Sequence, residues 1–458
     1  MNLKTLAIYL GEQRVGLLFQ YGNDNPIVRF VADDAFVALG DKAPTLSLSM
    51  RADDPETQRA LWANVSAPVF NGRQSRRKGW LLPPFFQGLL PEGVFRDHVA
   101  AVRGCEPDDH FEMLAATGRD LPGNVHARPV ALTRQEAAHL VTQNEDSLEM
   151  SVIEEPMEDG VSVSGVQPKV GVIRDGDRYV GRTRMQDTHI IAKLPVIGHP
   201  LLPELEELSL RLARAAGVDA CEAKLEPLEK LAVEHGYDLG NDVTGTTNFL
   251  AVTRFDRAPG SRFHVEDFGQ IMAVQPEDKY RESYLAMAAV MLAQPSLGEA
   301  AVHELLRRMT VNELLGNPDM HLKNVGIIYK DGRTPTLSPA YDIVGYSAYQ
   351  RRTGHAIFIV PPELLPPSED DTRKRHQRLS PAMVRQFCGH LRLAEKPAAA
   401  AIQRTVLAAV KKWPDMILAS RLTDMQKTNL LAHFEQHPMV ASVRKRSARR
   451  GRAESVEP

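Results

Sequence analysis

The chain has 458 residues, a formal net charge of −3, 43% hydrophobic and 25% charged residues. This composition excludes a disordered or fibrous chain and allows two or three packed units, since single cores stop growing at roughly 250–300 residues. The near-neutral charge gives no reason to expect a chain-wide surface for nucleic acid or membrane.

The N-terminus has no apolar stretch of signal-peptide type before Gly11, and the longest apolar helical run, 284–293, falls far short of the roughly 20 residues that span a bilayer. The three cysteines, Cys105, Cys221 and Cys388, have no metal-ligand spacing. An odd count without a signal peptide favours reduced thiols. We therefore predict a cytoplasmic protein with no membrane segment and no structural zinc.

Residues 3–50 alternate apolar segments, the last of them Leu46–Leu48, with Gly, Asn and Asp turns. This pattern is typical of short antiparallel strands. Turns and helices follow from about residue 80, and we predict an N-terminal α/β module over residues 1–132. The polar, acidic stretch 133–158 is predicted to be a linker.

Strand patterns return in residues 159–262, interrupted by one helix between Pro203 and Gly217. Residues 263–440 are mostly helical in pattern. The predicted fold is α+β, with a strand-rich lobe and then a mainly α-helical lobe, which is the layout of a two-lobed kinase. Layout alone is weak evidence of function. Residues 441–458 hold six Lys and Arg and are predicted to be a disordered basic tail.

The strongest motif is G-N-P-D-M-H-L-K-N at Gly316–Asn324, followed by L-S-P-A-Y-D at Leu337–Asp342. Asp319 and Asn324 have the spacing of the catalytic aspartate and the metal-binding asparagine of protein-kinase catalytic loops. A hairpin between the two motifs would return Asp342 to this loop as a second metal ligand. Phosphoryl transfer needs such a set, because it requires a carboxylate for the acceptor hydroxyl, ligands for Mg²⁺ and cations for the phosphates.

A lysine lies inside an otherwise apolar strand, I-I-A-K-L-P at Ile190–Pro195. Burying Lys193 is costly unless it meets an anion, which ATP phosphates and a carboxylate of the following helix would supply. Glu204, Glu206 and Glu207 are available there, and we favour Glu206. The alternative is an exposed lysine at a strand end.

The apolar strand at Asn248–Phe255 turns polar as it reaches the helical region, which suits a hinge that offers backbone groups and Phe255 to adenine. An ordinary buried strand has the same pattern. The segment Val161–Lys169 lies where a phosphate-covering loop belongs, although it has a single glycine. We assign further nucleotide contacts to Ser164 and Gly165 in this loop.

Two other chemistries fit the catalytic-loop motif. Asp319, His321 and Asp342 would suit a hydrolytic metal site, but no other His, Asp or Glu cluster supplies the remaining ligands. The D-x-H-x-x-N pattern also suits kinases of antibiotics and lipids. We keep both as alternatives and predict that His321 and Lys323 contact the nucleotide.

Taken together, these segments resemble the HipA family of toxin–antitoxin serine/threonine kinases. The similarity rests on motifs at Ser162–Lys169, Ile190–Pro195, Arg254–Arg257, Gly316–Asn324 and Leu337–Asp342, and in the N-terminal module on G-L-L-P-E-G at Gly88–Gly93 and G-R-D at Gly118–Asp120. It extends from about residue 3 to residue 390.

The resemblance implies roles for individual residues. Asp319 would be the catalytic base, Asn324 and Asp342 would bind Mg²⁺, and Lys193 would contact the phosphates of ATP. The segment Thr253–Phe255 would be the hinge.

The resemblance also implies regulation, substrates and partners. A loop serine, Ser162 or Ser164 or both, would be autophosphorylated, which expels the loop from the ATP site and switches the kinase off. The implied substrate is an aminoacyl-tRNA synthetase, typically the glutamyl enzyme, whose phosphorylation arrests translation and growth. The implied partner is a helix-turn-helix antitoxin similar to HipB, and through it operator DNA. A non-catalytic co-repressor with a DNA-binding basic tail is an alternative.

Overall fold

The computed structural model describes residues 2–22, 26–75, 78–133, 167–182, 186–233, 247–350, 354–366 and 377–454, together with 136, 149–150, 157, 237 and 239. The strands in these residues are β1 Asn2–Leu10, β2 Gln13–Tyr21, β3 Ile27–Ala32, β4 Arg73–Ser75, β5 Gly79–Leu81, β6 Val125–Pro129, β7 Glu149–Met150, β8 Lys169–Asp175, β9 Arg178–Val180, β10 Ile190–Lys193, β11 Ala223–Pro227, β12 Leu231–Ala232, β13 Asn248–Thr253, β14 Arg257–Ala258, β15 Ser261–Arg262, β16 His264–Asp267, β17 Gly326–Tyr329 and β18 Thr336–Leu337. The helices are α1 Asp34–Val37, α2 Pro55–Ala63, α3 Pro84–Gly88, α4 Val94–Arg103, α5 His110–Thr117, α6 Leu202–Ala215, α7 Phe268–Ile271, α8 Tyr284–Ala293, α9 Gly298–Leu315, α10 Pro381–Leu391, α11 Glu395–Leu418, α12 Asp424–Gln436 and α13 Pro438–Glu454.

The N-terminal module, residues 2–133, is built on an antiparallel sheet in the strand order β3-β2-β1-β6. Apolar residues of β1 such as Leu6 and Ile8 are fully buried and belong to one core with Phe86 of α3. The strand β7 pairs in parallel with β1, so residues 149–150 of the predicted linker return to this sheet.

One predicted strand of this module is wrong. Leu46–Leu48 leads into a 3-10 turn at Leu48–Met50, because its polar groups bind a side chain instead of a neighbouring strand. The hydroxyl of Ser47 donates to Oε2 of Glu266 at 2.6 Å, and the backbone N–H of Leu48 donates to Oε1 at 2.9 Å. Since this carboxylate belongs to β16, the turn joins the module to the rest of the chain.

The strand-rich lobe, residues 167–262, holds a six-stranded sheet in the order β11-β13-β10-β8-β9-β12. Helix α6 lies against this sheet, with Leu205 and Leu208 on its buried face. Gly217 follows the helix with φ +89°, a left-handed conformation that costs glycine little. The helix predicted between Pro203 and Gly217 is thus confirmed.

The helical lobe, residues 263–454, packs α8 to α13 around one apolar core to which α9 contributes Leu306 and Met309. Trp413 of α11 is fully buried, and its Nε1 donates to the backbone oxygen of Leu212 in α6 at 2.9 Å. The C-terminal helices therefore hold the helix of the strand-rich lobe. No helix in the described part of the chain is long and apolar enough to cross a membrane.

The predicted disordered tail is wrong as far as residue 454, because α13 continues to Glu454. Val440 and Val443 are buried three residues apart and give the helix one apolar side. The Ala, Lys and Arg that follow are good helix formers, so composition did not distinguish a tail from a helix. Residues 455–458 and most of the predicted linker lie outside the described residues.

Candidate active site

A cavity of about 310 Å³ lies where the strand-rich sheet, the helical lobe and the N-terminal module meet. Nine of the predicted site residues line it, namely Lys193, Glu206, Thr253, Phe255, Asp319, His321, Lys323, Asn324 and Asp342. The other three, Ser162, Ser164 and Gly165, lie outside the described residues. Segments that are far apart in sequence thus converge on one space.

Lys193 is buried at the end of β10, where its Nζ contacts carboxylate oxygens of both Glu206 and Asp342. Burial favours the neutral amine, but the two carboxylates outweigh it and raise the pKa of Lys193 above its ordinary value. Glu204 instead accepts a hydrogen bond from Asn248, and Glu207 forms an ion pair with Arg211. Of the three glutamates considered from sequence, Glu206 therefore makes the contact, and Lys193 is not an exposed strand end.

A second lysine, Lys169, lies beside Lys193 and was not assigned to the site from sequence. The two residues are directly opposed in the register of β8 and β10, and Lys169 is only 5% exposed. No described residue forms an ion pair with it. Burial lowers its pKa and outweighs the charge of Asp342, which acts in the opposite direction, while the charge of Lys193 adds to the lowering. A buried ammonium group in this position favours a bound anion.

The catalytic-loop motif begins where α9 ends. Gly316 adopts φ +66°, which ends the helix with a left-handed residue. The side chain of Asn317 donates to Oδ1 of Asn312 at 2.6 Å and accepts from the backbone N–H of Asp319 at 3.2 Å. Asn324 donates from Nδ2 to the backbone oxygen of Asp319 at 2.7 Å, which leaves its Oδ1 available as a ligand. Side-chain amides therefore shape the loop.

Asp319 lies at the mouth of the cavity, and its Oδ1 accepts from the hydroxyl of Tyr280 at 2.8 Å. Burial raises the pKa of Asp319 above its ordinary value. His321 has Nε2 at 3.8 Å from the same oxygen, and burial lowers its pKa to about 3. Its Nδ1 accepts from the backbone N–H of Lys323 at 3.2 Å, so the neutral ring carries its proton on Nε2.

The predicted hairpin before Asp342 is confirmed, because β17 and β18 pair antiparallel. The hydroxyl of Tyr341 donates to the backbone oxygen of Lys323 at 2.9 Å and so anchors the returning segment on the catalytic loop. Asp342 adopts φ +54°, an uncommon conformation that the surrounding structure must hold. Burial raises the pKa of Asp342, but Lys193 and Lys169 outweigh this effect and keep it well below its usual range.

The G-L-L-P-E-G motif of the N-terminal module reaches the same cavity. The Nζ of Lys323 donates to the backbone oxygen of Gly88 at 3.0 Å and lies 3.6 Å from Glu92 and 3.3 Å from Asp267. Burial raises the pKa of Glu92, but Lys323 and Lys279 outweigh it and lower the value to about 2. Lys323 lines the cavity, but its ammonium group is already engaged by the module and by Asp267. Its predicted contact with the nucleotide stays a prediction.

Behind the predicted hinge, two motifs that the sequence presented separately meet in a buried charge network. Arg254 lies 3.3 Å from Asp120 and 2.8 Å from Asp256, and Arg257 lies 2.9 Å from Asp120. On the cavity side, the ring of Phe255 packs against another aromatic ring, that of Tyr341, with centroids 5.7 Å apart. The R-F-D-R motif thus turns its arginines to the module and its phenylalanine to the site.

Four residues at or near the site were not predicted from the sequence, and they differ in whether a recognised motif contained them. Glu92, Asp120 and Lys169 all lie in motifs that were noted for their resemblance, but nothing local showed that they converge. Tyr280 had no motif at all. The described residues contain no group of three or more His, Cys, Asp or Glu arranged to hold a metal.

Two family models match the chain, the HipA-like C-terminal domain at residues 161–413 and the HipA N-terminal domain at residues 6–128. The chain belongs to the HipA family. A Sinorhizobium fredii protein named "Putative kinase Y4dM" is 33% identical over 329 residues, which cover 70% of this HipA-family chain and 72% of the relative. A second protein of that organism, "Putative kinase Y4mE", is 32% identical over 324 residues, covering 65% and 70%.

Among solved structures, HipA of Shewanella oneidensis MR-1, determined with HipB and its operator DNA, matches with a TM-score of 0.64 at 19% identity. The match covers 96% of this chain and 99% of that one. At this identity the likeness concerns the fold, and the predicted α+β fold of HipA type is confirmed.

Proposed function

We propose that this HipA-family protein transfers the γ-phosphoryl group of ATP to a serine or threonine hydroxyl. The observation that carries the proposal is one set of side chains around one cavity, namely Lys193, Glu206, Asp319, Asn324 and Asp342. Kinases use such a set of a lysine held by a glutamate, a base for the acceptor and two metal ligands.

The side chains divide the work of this reaction. Asp319 accepts the proton of the acceptor hydroxyl, and its pKa, raised by burial, makes it a stronger base than a free aspartate. Glu206 holds Lys193 in position for the phosphates. Lys169, which has no ion-pair partner among the described residues, supplies a second cation beside it.

Asn324 and Asp342 fit the requirements for holding Mg²⁺. Asn324 uses its Nδ2 to fix the catalytic loop and keeps its Oδ1 for a cation. Asp342 stays ionised despite burial because Lys193 and Lys169 lie near it. Carboxylate and amide oxygens are ligands that Mg²⁺ prefers, and the bound ion supplies positive charge for the phosphate groups.

The direct test is incubation of the phosphatase-treated protein with Mg²⁺ and ATP labelled in the γ-phosphate. We expect label on the protein itself and on proteins of a cell lysate, with Asp319→Asn reduced at least a hundredfold. A wild-type protein that labels nothing above the Asp319→Asn background contradicts the kinase proposal.

We further propose that the protein is the toxin of a toxin–antitoxin pair, with an aminoacyl-tRNA synthetase of glutamyl type as the first candidate substrate. Family membership supports this proposal, as does the fold match to a HipA solved with HipB and operator DNA. Phosphoproteomics after induced expression of wild type and Asp319→Asn tests it. The proposal fails if no synthetase gains phosphate in the wild type alone.

Autophosphorylation at Ser162, Ser164 or both is part of the same proposal. Both residues lie outside the described residues, but Gln167 and Lys169 of the predicted loop Val161–Lys169 line the cavity. Mass spectrometry of wild type, Ser162→Ala and Ser164→Ala after ATP treatment assigns the site. Phosphate at neither serine would contradict this off-switch.

A second candidate function, co-repression with an antitoxin, is favoured by helix α13. Arg444, Lys445 and Arg446 are exposed on it and are followed by three more arginines. Cations on one helix give DNA affinity that falls with salt. Deleting residues 444–458 leaves the buried Val443 in place and tests the idea. Operator affinity of the complex that does not change at several salt concentrations would contradict it.

A further inference from the structure

Tyr280 occupies the position at the catalytic loop where an acceptor hydroxyl is needed. Its hydroxyl donates to Oδ1 of Asp319 at 2.8 Å. A serine or threonine acceptor must present its hydroxyl to this carboxylate before its oxygen attacks phosphorus. An incoming acceptor therefore competes with Tyr280 for the same oxygen.

The contacts of Tyr280 allow it to move. The residue is 48% exposed, and its ring meets that of His321 edge to face with centroids 4.9 Å apart. The ammonium group of Lys279 lies 5.5 Å from the ring centroid. Contacts of these kinds are individually weak, so an outward rotation of the side chain leaves the core intact.

A second cavity, of about 280 Å³, adjoins the first at this point. Lys78 and Arg96 of the N-terminal module line one side of it, and residues 275–277 of the helical lobe line the other. Glu92, Lys279 and Tyr280 line both cavities. Tyr280 therefore lies where the cavity that contains Asp319 adjoins a second space lined in part by the module.

We propose that an extended peptide segment enters the second cavity and that its serine or threonine hydroxyl displaces Tyr280 from Asp319. Tyr280 is then a gate between the acceptor and nucleotide cavities. This inference rests on the proposed kinase function. In the transfer, the acceptor oxygen bonds to the γ-phosphorus, the bond from that phosphorus to the β–γ bridging oxygen breaks, and ADP leaves with the electron pair. The acceptor proton passes to Asp319, while Tyr280 keeps its own.

The test is Tyr280→Phe, which keeps the ring on His321 and removes the competing hydroxyl. We measure phosphorylation of a peptide library with one central serine, and ATP hydrolysis without peptide. We expect the peptide KM to fall three- to tenfold and ATP hydrolysis to rise severalfold, because water gains access to Asp319. A lower kcat at constant KM would mean that Tyr280 only orients Asp319, and would overturn the gate.

Two companion variants sharpen the result. Lys78→Trp narrows the second cavity and should raise the peptide KM at least threefold, and an unchanged KM would overturn this route. Tyr349→Phe is the matched control, because Tyr349 lines neither cavity and its hydroxyl donates to the backbone oxygen of Pro200 at 3.0 Å. We expect it to behave as wild type.

Two further outcomes separate the gate from the kinase proposal itself. Phosphotyrosine at residue 280 in wild type, absent from Asp319→Asn, would make Tyr280 an acceptor and overturn the gate alone. A wild type that transfers phosphate normally but equals Tyr280→Phe in both assays would do the same. A wild type that transfers no phosphate to peptide, water or itself overturns both proposals.

Discussion

Of the places where the N-terminal module meets the rest of the chain, two junctions have opposite character. The hinge junction joins Asp120 to Arg254 and Arg257 through buried ion pairs at 3.3 and 2.9 Å. Burial raises the pKa of Asp120, but the arginines outweigh this effect and hold it well below its usual range. The hinge junction therefore stays charged from mildly acidic to neutral pH.

The turn junction joins Ser47 and Leu48 to Glu266, a buried carboxyl group that forms no ion pair with any described residue. Burial raises the pKa of Glu266 to about 7, although its hydrogen bonds with Ser47 and Tyr329 act in the opposite direction. Of these two junctions, pH leaves the hinge junction unchanged, whereas the turn junction titrates near neutrality. Three substitutions test this contrast.

The largest effect is expected from Asp120→Asn at the hinge junction. The substitution leaves two buried arginines, Arg254 and Arg257, to share the single carboxylate of Asp256, and breaking a buried ion pair costs roughly 3–5 kcal/mol of unfolding free energy. Because Arg254 borders the predicted hinge, the proposed binding of ATP should weaken as well. Urea unfolding and nucleotide titration measure the two effects. Asp177→Asn, which removes an exposed pair with Lys230, is the control, and equal losses in both variants would contradict the prediction.

The next largest effect is expected from Glu266→Gln at the turn junction, which should remove a pH dependence of the unfolding free energy. The folded protein keeps a proton on Glu266 up to a pKa of about 7, whereas the ordinary value is 4.5. The contribution of this group to stability is therefore full below pH 4.5 and declines as the pH rises to about 7, by about 3 kcal/mol at most at 1.36 kcal/mol per pKa unit.

The measurement is urea unfolding of wild type and Glu266→Gln at several pH values between 4.5 and 7.5. Glutamine keeps the size of the side chain and remains neutral, so the variant should gain stability relative to wild type as the pH rises. Stability curves that run parallel over this range would show that Glu266 does not titrate there.

The smallest effect is expected from Ser47→Ala at the turn junction. It removes the 2.6 Å hydrogen bond to Glu266, worth about 1 kcal/mol of unfolding free energy. The loss should grow as Glu266 ionises, because hydrogen bonds to a charged group are stronger. Differential scanning calorimetry at pH 5 and pH 7.5 compares the two states. A larger loss of stability at pH 5 than at pH 7.5 would contradict the prediction that Glu266 is neutral at pH 5 and ionises towards pH 7.5.

Much of the fold followed from local patterns. The helix before Gly217 and the hairpin before Asp342 were predictable because apolar spacing and glycine turns act within a few residues. Leu46–Leu48 was not, since a strand and a turn can share one apolar pattern when a distant carboxylate decides between them. The helix α13 was missed for a similar reason, because Val440 and Val443 become informative only when a packing surface is known.

The candidate site divides in the same way. That Asp319 and Asn324 lie together at the cavity could be predicted because both belong to one short motif. The position of Lys169 at the cavity could not, since it depends on the register that sets it beside Lys193. Tyr280 depends on a tertiary contact with Asp319 that no spacing encodes.

The hydrogen bond from the indole N–H of Trp413 to the backbone oxygen of Leu212 decides where this chain can be shortened. Helix α6 carries Glu206, the partner of Lys193. A fragment that ends before α11 lacks Trp413, which holds α6 in place, although it keeps every motif of the catalytic loop. Trp413 in turn packs on Phe434, with ring centroids 5.0 Å apart. A minimal catalytic fragment should therefore extend at least through α12, well past the last recognisable motif.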